Sequence, residues 1–517
     1  MARYKEYSYS QNKFIPIHFS KQILPGIFEY TLNYLIDNEL DLSIFDKKYK
    51  NDDTGAPAYD PAILLKIVLY GYSRGIVSSR KIAQCCRENI IFMALSADTR
   101  PHFTTIAEFI SRMDKEIVQL FRDILLICDD QGLIGKEMFA IDGCKLPSNA
   151  SKEWSGTKAD FEKKAAKIET AISGILKRHR ENDLAKTDKE IIAKEEKYIK
   201  KLRKRMKKIR EWLSENDDKI GKSGKPIKSN ITDNDSAKMK TSKGVIQGYD
   251  GVTAVDGKHQ VIVHAEAFGQ AQEHDLLKPM VEGVRDNFES IRNKEDVFKD
   301  AKLLADSGFH TEQNMKMLFE KEIDAYVADT QFRKRDPRFA DYGRYKERFR
   351  KERAMREGRR NLFSTKDFTF PEDLSHCICP AGKRLYRSGG NAFSKGGFRS
   401  VRFKGPKSAC VHCKLRSQCL RHPERTEIRQ VAYFIGRTEK GKNTFTERMK
   451  RKIDSVAGRA LYAIRLAIGE PPFANIRSAL RLDRFNLRGK RKVNVQWNLF
   501  CIVHNMKKIQ RYGPGFA

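Results

Sequence analysis

MFAIDGCKL, Met138 to Leu146, is where the chain changes character. Upstream the pattern is helical. Here a short apolar run, Met138 to Ile141, stops on Asp142 and Gly143, and it reads as a buried strand delivering an acid at its C-terminal end. KLLADSGFH, Lys302 to His310, repeats the design, with Asp306 after the run and a glycine two residues on. Acids at the ends of neighbouring strands lie close enough to share a divalent cation. A third acid, Glu470, is the lone carboxylate of GRALYAIRLAIGEPPFANIR, Gly458 to Arg477, among Arg459, Arg465 and Arg477 and just before two prolines. An acid after a strand is ordinarily a turn residue, so each means little alone. Three carboxylates can hold two metal ions about 3.5–4 Å apart, with arginines left to hold phosphates.

Between the first and second acids and just beyond the second, the elements alternate. VIQGYDGVTAV and HQVIVHAEA are strand-rich and VDGK joins them as a hairpin turn. HDLLKPMVEGVRDNFESI and TEQNMKMLFEKE are helical, and IDAYVAD is a strand. The order of strand, hairpin, helix, strand, helix, strand implies a mixed α/β sheet flanked by helices. Two segments interrupt it. Phe161, Ala165, Ile168, Ile172 and Ile175, then Ile199, Leu202, Met206, Ile209 and Leu213, recur at heptad spacing around a polar break at Asn182 to Asp188. They imply an antiparallel helical hairpin, whose basic exterior suits a solvated face or a DNA-contacting arm equally. From Thr330 to about Ser375 the chain is strongly basic with interleaved aromatics (Phe332, Phe339, Tyr342, Tyr345, Phe349), which favours nucleic-acid contact over a plain charged face.

The first 135 residues look helical. Pro61 opens PAILLKIVLYGYSRG in a first-turn position and Gly75 ends that helix. Ser78 or Ser79 can cap SSRKIAQCCRENIIFMAL, and Thr104 or Thr105 can cap one long amphipathic helix reaching about Ile134. With Arg74, Arg80 and Arg87 nearby, a helix-turn-helix DNA reader and a plain helical bundle both fit.

The whole chain has 517 residues, formal net charge +33 and 40% hydrophobic residues. It can bury a large multi-domain core, which excludes general disorder, and its charge calls for an anionic partner, most commonly nucleic acid. No apolar run approaches the ~20 residues that span a bilayer. MARYKEYSYSQNKF lacks the apolar stretch of a signal peptide, so the protein is expected in the cytoplasm, with the nucleoid. Its ten cysteines are then thiols or metal ligands. Cys410 and Cys413 form a C-x2-C, Cys419 follows six residues later, and Cys379 or Cys377 lies about thirty residues upstream. Such a set suits tetrahedral structural Zn²⁺, with reduced, unliganded thiols as the alternative. His376, His412 or His422 could replace one thiolate. His310, beside Asp306, could orient a phosphate or water, or simply pack. No G-x-x-x-x-G-K-[ST] loop for a nucleotide is present.

These motifs together resemble the DDE transposases of bacterial insertion sequences, over nearly the full length. GAPAYDPAILLKIVLYGYSRGIVSSRKIAQCCRENIIFMALS resembles the family's N-terminal DNA-binding domain, AIDGCKL its first-Asp motif, ADSGFH its second-Asp motif, and Tyr462, Arg465, Glu470 and Arg477 its Tyr–Arg–Glu–Lys/Arg signature. Departures fall at Gly469, the Pro471–Pro472 pair, Ala474 and Cys144.

The resemblance implies an RNase H-like mixed sheet with flanking helices, an N-terminal all-helical domain, a helical-hairpin insertion and a Cys-rich insertion. The expected boundaries are 1–135 for the DNA-binding domain, 136–156, 231–330 and 441–517 for the core, 157–230 for the hairpin and 331–440 for the basic, Cys-rich insertion. Asp142, Asp306 and Glu470 would be the catalytic, metal-binding triad, with two Mg²⁺ ions or Mn²⁺ in their place. Tyr462, Arg465 and Arg477 would contact DNA or support the triad, and Cys379, Cys410, Cys413 and Cys419 would be the zinc candidates. The implied activity is cleavage of element 3′ ends and their transfer into target DNA, on double-stranded terminal inverted repeats, by a homodimer or larger assembly. The family places the Glu on a helix packed against the sheet, which the proline pair should start or kink. A nuclease that does not join strands, and a non-catalytic DNA-binding derivative, are the other readings.

Overall fold

The axis of the main sheet is strand β1 (Met138–Pro147), the stretch that opens the core in the sequence. The structure is a computed structural model. It describes residues 16–49, 57–182, 189–221, 224–291, 295–339, 362–394, 397–438 and 443–516, with Ser10, Phe349 and Glu352. Most of the basic run, with Tyr342 and Tyr345, and the hairpin break at 183–188 lie outside the described residues. The other strands of the sheet are β2 (Ala237–Thr241), β3 (Gly244–Asp256), β4 (Ile262–Phe268), β5 (Lys302–Ala305) and β6 (Asp324–Val327), in the order β6-β5-β1-β3-β2, with β4 also paired to β3. β1 runs parallel to β5 and antiparallel to β3. This is the mixed sheet with flanking helices expected of an RNase H-like core.

One expectation needs correction. β1 does not end at Asp142. Its parallel pairing with β5 stops at Ile141↔Ala305, but its antiparallel pairing with β3 continues through Asp142↔Thr253 to Pro147↔Gly248. Backbone bonds to β3 hold the strand straight past the point where β5 leaves, so the acid is mid-strand with one flank open.

The chain divides into two compact units, Met1–Ala305 with Ile323–Ala325 and Ala463–Ala517, and Asp306–Glu322 with Tyr326–Tyr462. In the first unit, Asp60 caps the helix Pro61–Ser73 by accepting from Ala62 N at 2.7 Å, and Gly75 ends it at φ +73°. Ser78 is the N-cap of Ser79–Glu88. The next helix is separate, Ile90–Leu95, because Asn89 turns its side chain to the backbone N–H groups of Ile91 and Phe92. The single long helix expected after Thr104 is likewise two, Phe103–Arg112 and Asp114–Asp130, and His102 rather than a threonine caps the first. The first split follows from a cap that satisfies a new helix start and so favours a break; at the second, Met113 makes no side-chain cap bond. The helical hairpin packs Phe161 and Ala165 on Ile209 and Trp212, and Ile172 and Ile175 on Ile199 and Leu202. The start of one helix therefore meets the end of the other, as antiparallel packing requires.

The C-terminal helix Lys490–Tyr512 is the packing centre of this unit, lying against Asp114–Asp130, Pro61–Ser73 and β4. Trp497 stacks under Gly251 and donates to Val252 O at 3.3 Å, and Tyr72 stacks on Phe500 at 4.6 Å. Its asparagines also cover the outer edge of β4. Asn505 bonds both backbone groups of Ile262 (2.9 and 2.8 Å), and Asn494 both of Ala267 (2.7 and 3.1 Å). The helix rises about 16 Å between them and the strand spans about 17 Å, so the two ladders match. Outward-facing backbone groups alternate along a strand, which ordinarily forbids positions five apart from facing the same edge. The bulge between Ala254 and Val255, which skips Val263 in the register, supplies the odd step.

The second unit holds a small antiparallel sheet, β7 (His376–Ile378), β8 (Arg384–Arg387), β9 (Ala392–Phe393), β10 (Phe398–Lys404) and β11 (Gln430–Arg437), in the order β7-β8-β10-β9 with β11 on β10. Its buried core is slight: Phe368, Cys377, Leu385, Val401, Phe403 and Val431. Elsewhere in the unit Arg335 bridges Asp329 and Asp454, and Arg459 bridges Asp336 and Asp454.

Candidate active site

Asp142 projects from β1 to the same face as Cys144, while Gly143 and Lys145 face the other side. Its Oδ1 accepts from Gly143 N at 2.8 Å and its Oδ2 from Arg465 Nη1 at 2.8 Å. Both partners of this ion pair are sheltered, with side chains 17% and 9% exposed. Arg465 comes from the helix Val456–Ala474. One turn on, a Cβ added to Gly469 would sit 3.5 Å from Asp142 Cβ and Oδ2, in ordinary van der Waals contact, so the helix lies close against the acid. Glu470 is the next residue and is exposed. The first unit thus brings Asp142, Arg465 and the Glu470 helix together.

The prolines do not start that helix, contrary to one of the two expected outcomes. It runs unbroken through Pro471 and Pro472 and passes into a π turn, Asn475–Ala479. Pro471 has no N–H for the carbonyl of Ala467, four residues back. Gln260 replaces it, donating from Nε2 to Ala467 O at 3.1 Å. Gln260 O in turn takes the Nε2 proton of His504 at 2.9 Å, and His504 Nδ1 accepts from Asn475 Nδ2 at 2.9 Å. The chain of bonds thus clasps the helix on both sides of the proline pair. Nothing in the local sequence signals Gln260, His504 or Asn475 as its partners. His504 is buried, and that burial holds its pKa down at about 4.

Arg477 is exposed on the π turn and bonds the Cys144 thiol, two residues beyond Asp142; burial pushes that thiol up to about 11, with Arg477 opposing. On the reverse face of the sheet lies an acid pair that the sequence pattern does not single out. Asp250, opposite Lys145 on β3, is pushed up to about 7, first by burial and then by the Glu273 carboxylate, and Lys145 pairs with Glu273 at 3.2 Å. An acid inside an otherwise apolar strand run, YDGVTAV, is the one trace it leaves in the sequence.

Asp306 belongs to the second unit. It follows directly on Ala305, which β1–β5 register sets beside Ile141, the residue before Asp142. Tyr462 Oη donates to Asp306 Oδ1 at 3.5 Å, and the Tyr462 ring stands edge-on to Phe332 at 5.0 Å. His310 bonds Val327 O through Nδ1 at 3.0 Å and burial lowers its pKa. In the same unit Cys379, Cys410, Cys413 and Cys419 line one cavity. Cys377 is instead in the core, and the His376, His412 and His422 rings do not line that cavity.

Among the described residues no group of three or more His, Cys, Asp or Glu side chains is already drawn together as a metal site, and no helix is long and apolar enough to cross a membrane. Residues 378–510 match the family described as a Transposase DDE domain, a segment that contains Glu470 but neither aspartate. Residues 18–112 match a second family, described as a transposase domain. Curated proteins give no match to the chain. A DDE domain implies a nucleic-acid-processing enzyme that acts on DNA and uses a divalent metal. Transposase families matched at both ends of a chain built around this mixed sheet support a DDE transposase of an insertion sequence.

Proposed function

We propose that the chain binds the terminal inverted repeats of its element, cuts their 3′ ends and joins those ends to target DNA. The observation that supports this best is the clasp of Asp142 by Arg465 beneath the backbone of Gly469, which seats the Glu470 helix on β1. Asp142, Asp306 and Glu470 are the proposed ligands for divalent ions. Their oxygens are hard donors suited to Mg²⁺, with Mn²⁺ as a substitute, and both Asp142 oxygens act as acceptors, as the ionised form requires. A bound pair of ions would supply an activated water or 3′-hydroxyl and stabilise the departing oxygen.

In this reading Arg465 offsets the charge of Asp142 and fixes its rotamer, and Tyr462 orients Asp306. Arg477, exposed and tied to Cys144, offers its guanidinium to a phosphate. Cleavage and joining on two ends call for two copies of the chain, and the hairpin helices Lys158–Asn182 and Lys189–Glu215 are the proposed contact. The expected place of action is the nucleoid. The test is incubation of purified protein and its Glu470→Gln variant with Mg²⁺ or Mn²⁺ and labelled duplexes from the ends flanking the gene. Joined product from the parent alone supports the proposal. Cleavage without joining favours a nuclease, and binding without cleavage a non-catalytic derivative.

A further inference from the structure

The cysteine cavity of the second unit has no part in the chemistry proposed above. Four of the ten thiols, from three separate segments, line a small cavity of about 30 Å³. Cys379 opens the β7–β8 turn, where its Sγ accepts from Lys383 N at 3.3 Å, the kind of bond that orients a thiolate ligand. Cys410 and Cys413 lie on and just after the short helix Lys407–Val411, and Cys419 ends the short helix Arg416–Cys419. Two arginines pin these segments from outside. Arg416 donates to Cys410 O at 2.8 Å and to the carbonyls of Pro423, Thr426 and Glu427, and Arg429 donates to Cys419 O at 3.0 Å and to Phe363 O.

We propose that Cys379, Cys410, Cys413 and Cys419 form a structural tetrathiolate site for a single zinc ion. Three physical arguments carry this. Four sulfur donors suit zinc or an iron–sulfur cluster, and a cavity as small as about 30 Å³ suits a lone ion rather than a cluster. Four thiolates around Zn²⁺ carry net charge −2, and Arg416, Arg429 and Lys383 line the same cavity to offset it. Among the described residues the small sheet has six buried core residues, too few to hold it firmly, and a metal staple is the usual remedy for a slight core. The sulfurs line the wall without yet closing on one point. Binding would draw them inward to Zn–S distances of about 2.3 Å, with release of the thiol protons.

The test uses the full-length protein purified without chelator, analysed for metal by inductively coupled plasma mass spectrometry. One zinc per chain is expected. Cys413→Ser should lose most of it, and Cys377→Ser, a core thiol away from the cavity, should keep it. Should Cys413→Ser fail to fold, Co²⁺ replacement in the parent decides, because a tetrahedral thiolate site gives intense charge-transfer and d–d absorption. No zinc and no such Co²⁺ spectrum would overturn the proposal, as would full zinc retention in Cys413→Ser. Stoichiometric iron with labile sulfide would overturn the zinc assignment too. DNA cleavage does not enter any of these readouts.

Discussion

Removing Arg465 should destabilise the protein mainly by stranding Asp142. At 2.8 Å and an effective dielectric near 20, the gross attraction of the pair is about 6 kcal/mol. Side chains 9% and 17% exposed also carry a desolvation cost that offsets about half of it. A coupling energy of about 2–3 kcal/mol remains, within the range that double-mutant cycles give for close, sheltered charge pairs. The cycle is Arg465→Met, Asp142→Asn and the double variant. Arg465→Met should cost about 3–4 kcal/mol, because a carboxylate is left beneath the helix without its counter-ion. Asp142→Asn in that background should recover much of the loss. Urea denaturation followed by tryptophan emission reads the relevant part of the molecule, since all three tryptophans, Trp154, Trp212 and Trp497, lie in the first unit. A coupling energy below about 0.5 kcal/mol would show that the pair is as weak as a surface bridge, and the argument that Arg465 seats the helix on β1 would fail.

Gln260→Leu should cost about 1–2 kcal/mol, since it leaves Ala467 O without the donor that Pro471 cannot provide; Pro471→Ala in the same background should restore stability by supplying that N–H, and no recovery would refute the link. Asn505→Leu should cost about 3 kcal/mol or more by unpairing both backbone groups of Ile262, and hydrogen exchange should rise first at Ile262; unchanged protection there would count against edge capping. His504 makes stability depend on pH. Its folded pKa of about 4 lies below the ordinary 6.5, so the unfolded chain binds a proton that the folded chain refuses. Stability should therefore fall by up to about 3 kcal/mol as pH drops from 6.5 towards 4, and the slope should flatten in His504→Gln; an unaltered slope would place the titration elsewhere.

The sequence by itself carried whatever short-range rules encode. Apolar runs ending on Asp142 and Asp306, heptad spacing from Phe161 to Leu213, Pro61 and Gly75 as helix punctuation, and the order of Tyr462, Arg465, Glu470 and Arg477 can all be read without coordinates. Each depends on neighbours within a turn or a strand. Local rules also explain one difference: Asn89 is a capping type that stops one helix to start another, whereas Met113, at the second break, is not.

Only the tertiary structure decided which distant groups satisfy one another. β1 runs past Asp142 because β3 continues to pair with it. Cys379 faces the thiol cavity while Cys377 fills the core, although a single residue separates the two and they are alike in type. Gln260 serves the carbonyl orphaned by Pro471, and Asn494 and Asn505 serve the edge of β4. No residue type or spacing announces such partners. A buried backbone group needs a hydrogen bond from somewhere, and where that donor stands depends on how helix and strand meet in space, which only the folded chain fixes.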